Sequence, residues 1–273
     1  MIPALSTRLA EPPGRKDAAL MSLGEFARMA RELGYRALSV RASQVTIGTP
    51  AEEVERAKRE LDEIGVGVAM VTGTVSLAAN DARATEALRD ITPHLDLAER
   101  LGCKLVRVML QRDEDIPDAR RAAAEAGERG MTLAHQTHIG TLFETVDSAL
   151  DVARRIGSPH FGVTYEPSNL LVCGSPYGGD AIRRLAPHIV NVYLQNWRAH
   201  DGGAQTLQLN AGPIKADQIP LDDASGVDYA EVFATLREIE WSGYVTVHQS
   251  LLPGEGVRMA AKAHMTAVRR YLA

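Results

Sequence analysis

Eight segments rich in β-branched and aliphatic residues recur along the chain: Ile2–Ser6, Ala37–Arg41, Val66–Val71, Leu105–Leu110, Met131–Gln136, Phe161–Tyr165, Ile189–Leu194 and Tyr244–Val247. They lie about thirty residues apart, with one longer gap before the last, and the stretches between them follow helical spacing. Eight alternating β and α units are what a closed parallel barrel requires. The expected fold is therefore α/β, a (β/α)8 TIM barrel forming one domain over residues 1–273. A doubly wound open sheet is the competing architecture. It would carry a glycine-rich phosphate turn after its first strand, and the segment STRLAEPPGRK has none, so no nucleotide cofactor is expected either.

Local signals place the helices. Leu23, Phe26, Ala30 and Leu33 share one helical face, and Ser22 with Glu25 forms a capping box at its start. Thr49, Pro50 and Glu52 open a second helix carrying Val54, Ala57, Leu61 and Ile64, and Gly34 and Gly65 end the two. Thr141 with Glu144 is expected to open another, and Val227-Asp228 leads into one that ends near Glu240. The exception is the long loop 198–226, rich in Gly, Asp, Ala and Gln, between the seventh and eighth strands. A loop that long over a barrel mouth either contacts substrate or is a surface insertion.

Composition narrows the classes of function. The net charge of −5 comes with no basic block or Arg/aromatic stripe, so nucleic acid is not an expected partner. No apolar run approaches the roughly 20 residues of a membrane span. The N-terminal MIPALSTRLA lacks the basic and apolar regions of a secretory leader, from which a cytoplasmic location is expected. Cys103 and Cys173 have no metal-type spacing and are expected to be reduced thiols. The helix-patterned Val257–Tyr271 would either pack on the barrel or make a dimer contact, which leaves the oligomeric state open.

In a parallel barrel the C-terminal ends of all strands open onto one pocket, where active sites form. Four strand-like segments stop there at polar residues: Gln136, Glu166, Tyr193 and His248. Arg41 and Arg107 close the second and fourth strands, where guanidinium groups would bind a phosphate, a carboxylate or sugar hydroxyls, or else pair with acids at the barrel top.

The motifs around these residues resemble those of the xylose-isomerase-like barrels, the sugar phosphate isomerase/epimerase superfamily. That family reads E-N-H-x-G-T after its fifth strand, and here the stretch is Gln136-Thr137-His138-Ile139-Gly140-Thr141. Its D-P/T-x-H becomes Glu166-Pro167-Ser168-Asn169, its H-x-H-L-K-D becomes Asn191-Val192-Tyr193-Leu194-Gln195-Asn196, and its G-x-x-S-x-E becomes Gly243 to His248. The resemblance implies a divalent cation held by Glu, Asp, His and Glu, at positions that here are Gln136, Glu166, Tyr193 and His248. Three anionic ligands have become one. Gln195, Asn196 and Asn169 likewise stand where the family has charged or basic groups.

Two chemistries remain open. A transition ion such as Zn²⁺ or Mn²⁺ would be held by Glu166 and His248, then Gln136, because few charges suffice in some catalytic zinc sites. With or without a metal, His248 is the first candidate for general acid or base and Glu166 the second, since an amide at Gln136 cannot exchange a proton. The expected substrate is a small carbohydrate-like molecule, contacted by Gln136, His138, Arg41, Arg107, Tyr193, Gln195, Asn196 and Trp197. Trp197 would stack on a sugar face or anchor the loop. His135 should face the helices by pleat alternation, and His200 lies in the loop. The functional alternatives are an isomerase, epimerase or lyase working by proton transfer next to a carbonyl, and a metal-free barrel that binds a small polar ligand or a partner protein.

Overall fold

The computed structural model describes residues 1–272 and is a closed barrel of eight parallel strands. These are β1 (Ile2–Ser6), β2 (Ala37–Arg41), β3 (Gly67–Thr72), β4 (Leu105–Val108), β5 (Thr132–Gln136), β6 (Phe161–Tyr165), β7 (Ile189–Leu194) and β11 (Tyr244–Val247). They pair in chain order, and β11 closes the ring by pairing with both β7 and β1. Five of the eight strands have the bounds that sequence patterning gives; β3 is shifted by one residue at both ends, and β4 and β5 differ by two and one residues at one end.

The first two helices start and stop where their signals lie, though the second is capped differently. The helix Leu23–Leu33 is capped by Ser22, whose Oγ accepts from Glu25 N at 3.3 Å while Glu25 Oε2 accepts from Ser22 N at 2.9 Å. Such a cap contributes about 1 kcal/mol. Gly34 and Gly65 end the first two helices in the left-handed region, with φ of 101° and 75°, which favours glycine. Thr49 does not cap the second helix, Ala51–Ile64; its Oγ1 accepts from Thr46 N instead.

One helix start differs from the sequence reading. The pair Thr141 and Glu144 does not open a helix; Thr145 does, with Ser148 completing the box. Glu144 reaches across to the insertion, accepting from Gly140 N and, at 2.8 Å, from Asn210 N. A second acceptor-rich box four residues downstream outcompetes the first because Glu144 finds backbone donors outside the helix.

Segment 198–226 is not a plain loop. It carries a three-stranded antiparallel sheet of β8 (Trp197–Ala199), β9 (Gln205–Leu209) and β10 (Gly212–Gln218), in the order β8–β10–β9. The core of the molecule lies between barrel and helices, where Phe26, Leu38, Val106, Phe143 and Leu236 are completely buried. Each such side chain contributes about 1.5–3 kcal/mol by leaving water. The C-terminal helix Val257–Leu272 uses its apolar face on the barrel, burying Ala260, Ala261, Met265 and Val268, with Tyr271 stacked on Phe233 at 5.1 Å. No helix among the described residues is long and apolar enough to cross a membrane.

Candidate active site

The strand ends and the β8–β10 sheet enclose a cavity of about 470 Å³ at the barrel mouth. Arg8 enters it from the single 3-10 turn Thr7–Ala10 that follows β1, and Lys16 from the loop beyond. Arg41 and Arg107 come from β2 and β4, Gln136 from the end of β5, and His248 from the residue after β11. Trp197, Gln205, Leu207 and Gln208 line it from the small sheet, so part of the insertion is a wall of the site. Four basic side chains line the cavity and no carboxylate does.

Glu166 stands behind that wall. It is completely buried, and its two carboxylate oxygens accept from the side-chain amides of Gln136 and Gln195. Gln195 is itself held by Arg8, whose Nη1 donates to Oε1 at 3.3 Å. Burial pushes the Glu166 carboxyl up to about 7, against the opposing pull of Arg8 and the two amide donors. Glu166, the second candidate for general acid or base, does not line the cavity. Two glutamines lie between it and the cavity, and its place is to position them.

His248 lines the cavity, as do the titratable groups of His138 and Lys16. Its Nδ1 lies 3.0 Å from Ser6 Oγ, leaving Nε2 as the ring nitrogen turned to the cavity. Its ring stacks on Tyr193, centroids 3.9 Å apart and 11° from parallel. Burial above all, then Arg8, Arg41, Arg107 and Lys16, holds the His248 imidazole well below its usual pKa, so the ring is neutral at pH 7. Tyr193 is completely buried beneath that ring, with its hydroxyl 2.9 Å from Ser39 Oγ, and does not line the cavity. It orients the imidazole instead of contacting ligand.

Other expected residues divide between cavity and scaffold. His138 lines the cavity, with Nε2 3.0 Å from Asn80 Nδ2 and Nδ1 2.8 Å from Ile139 O. These contacts fit a neutral ring that donates from Nδ1 and accepts at Nε2; burial, first, and Arg107 hold it down to about 3. Asn80 in turn accepts from Arg107 Nη2, which makes an Arg107–Asn80–His138 chain along one wall. Asn196 faces away: its Nδ2 donates to Pro220 O at 3.1 Å and Asp223 O at 2.9 Å, and its Oδ1 accepts from Val227 N at 2.9 Å. It ties down the return of the insertion and is not a substrate contact. His135 stacks on Phe143 at 4.0 Å, and His200 pairs with Asp217 at 2.7 Å outside the cavity.

Arg41 has the pairing that was its alternative reading. Its Nε donates to Glu11 Oε1 at 2.7 Å, and Lys16 Nζ donates to Glu11 Oε2 at 3.1 Å. Burial, with Arg8 beside it, lowers Lys16 to about 8. Arg8, Lys16, Glu11 and Asn80 were not found from sequence. The only signal for Arg8 and Lys16 was their place directly after the first strand, where a barrel builds its first top loop.

A divalent cation does not fit this donor set. Glu166 has both oxygens engaged by amide donors and faces the charges of Arg8 and Arg107, which also burden a cation entering beside it. His248 contributes one neutral nitrogen, Tyr193 is turned to Ser39, and no cluster of three or more His, Cys, Asp or Glu suited to a metal exists among the described residues.

Comparison with known structures agrees with the architecture. A probable 3-DHS dehydratase AsbF from Bacillus anthracis is 18% identical with a TM-score of 0.71, over 98% of this chain and 99% of that one. D-psicose 3-epimerase from Clostridium cellulolyticum H10, solved with D-tagatose, is 11% identical with a TM-score of 0.70, over 100% and 98%. A xylose isomerase-like TIM barrel protein from Mycobacterium smegmatis, solved with magnesium, is 16% identical with a TM-score of 0.69, over 100% and 97%. At these identities the likeness is one of fold. No curated protein sequence matches the chain. The family model for the xylose isomerase-like TIM barrel matches residues 27–263, and the chain belongs to that family.

Proposed function

We propose that the protein is a carbohydrate-active enzyme of the isomerase/epimerase-like or lyase kind, moving a proton next to a carbonyl without a metal. The observation that carries this reading is His248: a neutral imidazole, oriented by Ser6 and Tyr193, with Nε2 turned to a cavity lined by guanidinium and amide donors. Relatives in fold include an epimerase and a probable dehydratase.

In the proposed step His248 Nε2 takes the proton from the carbon beside the carbonyl. The C–H pair becomes a C=C bond, and the carbonyl pair moves to oxygen, where Arg8 and Gln136 supply N–H donors. Return of the proton from His248 to the former carbonyl carbon, with a proton shift between the oxygens, gives an isomer. Transfer to a β-hydroxyl, which leaves as water, gives an elimination product. Burial first, and then the nearby cations, make His248 a weak base, and negative charge growing on the substrate oxygen offsets the cations during the step.

The test is exchange of substrate C–H for deuterium in D2O, followed by proton NMR over a panel of keto-sugars, sugar acids and sugar phosphates. Wild type should exchange at least one compound and His248→Gln should lose about 10²–10⁴-fold. Full exchange by His248→Gln, or none by wild type over the panel, sinks the assignment. The screening of Glu166 by two amides favours the second reading, a barrel that only binds a small polar ligand, and that reading gains if wild type binds without exchange.

A further inference from the structure

We propose that the cavity holds its substrate by an anionic group, a carboxylate or a phosphate, gripped by Arg8 and Lys16 on the loop after β1 together with Arg107. The inference rests on the enzyme reading above and names its substrate class: an acidic polyhydroxy carbonyl compound.

The charge inventory of the wall is one-sided. Arg8, Lys16, Arg41 and Arg107 all face the cavity, and none of its lining residues is Asp or Glu. Glu11 neutralises Arg41 and is shared with Lys16. Among the described residues Arg8 and Arg107 make no ion pair; their bonds run to neutral acceptors, Ser250 and Gln195 for Arg8, Leu77 O and Asn80 for Arg107. Arg107 Nε is buried and has no hydrogen-bond partner. Glu166 acts on Arg8 and Arg107 from behind the wall without touching either. Guanidinium groups withdrawn from water without a directly paired carboxylate are costly, and a bound anion offsets that cost while gaining charge-assisted hydrogen bonds.

The rest of the wall suits hydroxyl groups. Gln136, Asn169, Gln195, Gln205 and Gln208 offer amide donors and acceptors, and Trp197 offers a ring. A volume of about 470 Å³ accommodates a sugar acid or a sugar monophosphate. This basic pocket sits in a chain of net charge −5, so its sign is a local property of the site and not of the whole protein.

Isothermal titration with glucuronate, fructose 6-phosphate, inorganic phosphate and fructose tests the proposal, at low and at physiological ionic strength. At least one acidic probe should bind more tightly than fructose, weaken with salt, and lose about tenfold or more in Lys16→Met and in Arg8→Leu. Glucuronate alone identifies a carboxylate site, and the phosphates alone a phosphate site; either supports the proposal. Fructose binding as tightly as both acids, no binding of any acid, or affinity indifferent to salt and to Lys16→Met overturns it. Lys16 is on a partly exposed loop, so its variant and the salt series decide the matter even if Arg8→Leu does not fold. His248→Gln should keep anion binding while losing deuterium exchange. Anion binding without exchange in wild type rejects the enzyme reading alone, and exchange confined to neutral sugars rejects the anion site alone.

Discussion

Glu11 holds two cations at once, Arg41 at 2.7 Å and Lys16 at 3.1 Å, and also accepts from Ser43 Oγ at 3.2 Å. The Arg41–Glu11 pair is almost wholly buried, so removing the carboxylate strands a guanidinium in the barrel top. Glu11→Gln is expected to cost about 3–5 kcal/mol in chemical denaturation, far above a surface pair. A loss below about 1 kcal/mol would mean that water reaches Arg41. Glu166 has the opposite effect. Its folded-state pKa of about 7 lies above the ordinary carboxylate value, so the stability it contributes is full below about 4.5 and lost as pH rises through about 7. Glu166→Gln should therefore gain stability relative to wild type at pH 8 but not at pH 4.5, by a few kcal/mol at most. Equal stabilities at both pH values would show that the carboxylate is ionised in the fold at no cost.

At the scale of elements, period and punctuation in the sequence sufficed for the strands, because β1, β2, β6, β7 and β11 are runs of only four to six residues, rich in β-branched and aliphatic side chains and too short for helices. The barrel mouth was less legible. Its strand-end residues Gln136 and His248 could be placed, since strand ends point into the mouth. Arg8 and Lys16 lie in a loop whose path depends on what packs over it, and Asn196 is two residues past a strand end, where the chain has already turned away. The β8–β10 sheet carries no strong alternation because much of it is exposed, with Gln205, Thr206 and Gln208 open to solvent. Asn196 and Gly226 fix how that sheet returns to the barrel: a Cβ on Gly226 would lie 2.0 Å from Asn196 Oδ1. Gly226→Ala must displace Asn196 from its bonds to Pro220, Asp223 and Val227, at a net cost of about 1 kcal/mol each. The expected result is a loss of about 3 kcal/mol in stability and weaker ligand binding, since Trp197 and Gln208 are carried by the same insertion. Unchanged thermal stability and binding in Gly226→Ala would detach the insertion's anchorage from the site.

Across the whole molecule, buried imidazoles set the acid limit of the fold. His94 and His264 pack among the helices, His135 lies on β5 and His248 at the barrel mouth, all nearly inaccessible to water. Burial, first in each case, lowers His94 and His264 to about 4, His135 to about 3, and His248 well below its usual range. A histidine depressed in the fold contributes stability that is present above its unfolded pKa of about 6.5 and is lost as pH falls toward its folded value. Glu166 opposes this between about 4.5 and 7 by giving up a proton on unfolding. His138, open to the cavity, counts for less than the other four. Near pH 5 the four imidazoles take up protons on unfolding while one carboxyl releases its own, so stability should fall by about 4 kcal/mol per pH unit. Denaturant midpoints measured at intervals from pH 7.5 to pH 4.5 give that slope directly. A shallow decline would show that these rings accept protons inside the folded barrel, whereas a steep one that flattens in a His94→Gln, His264→Gln double variant would assign the acid limit to the helix layer and not to the barrel mouth.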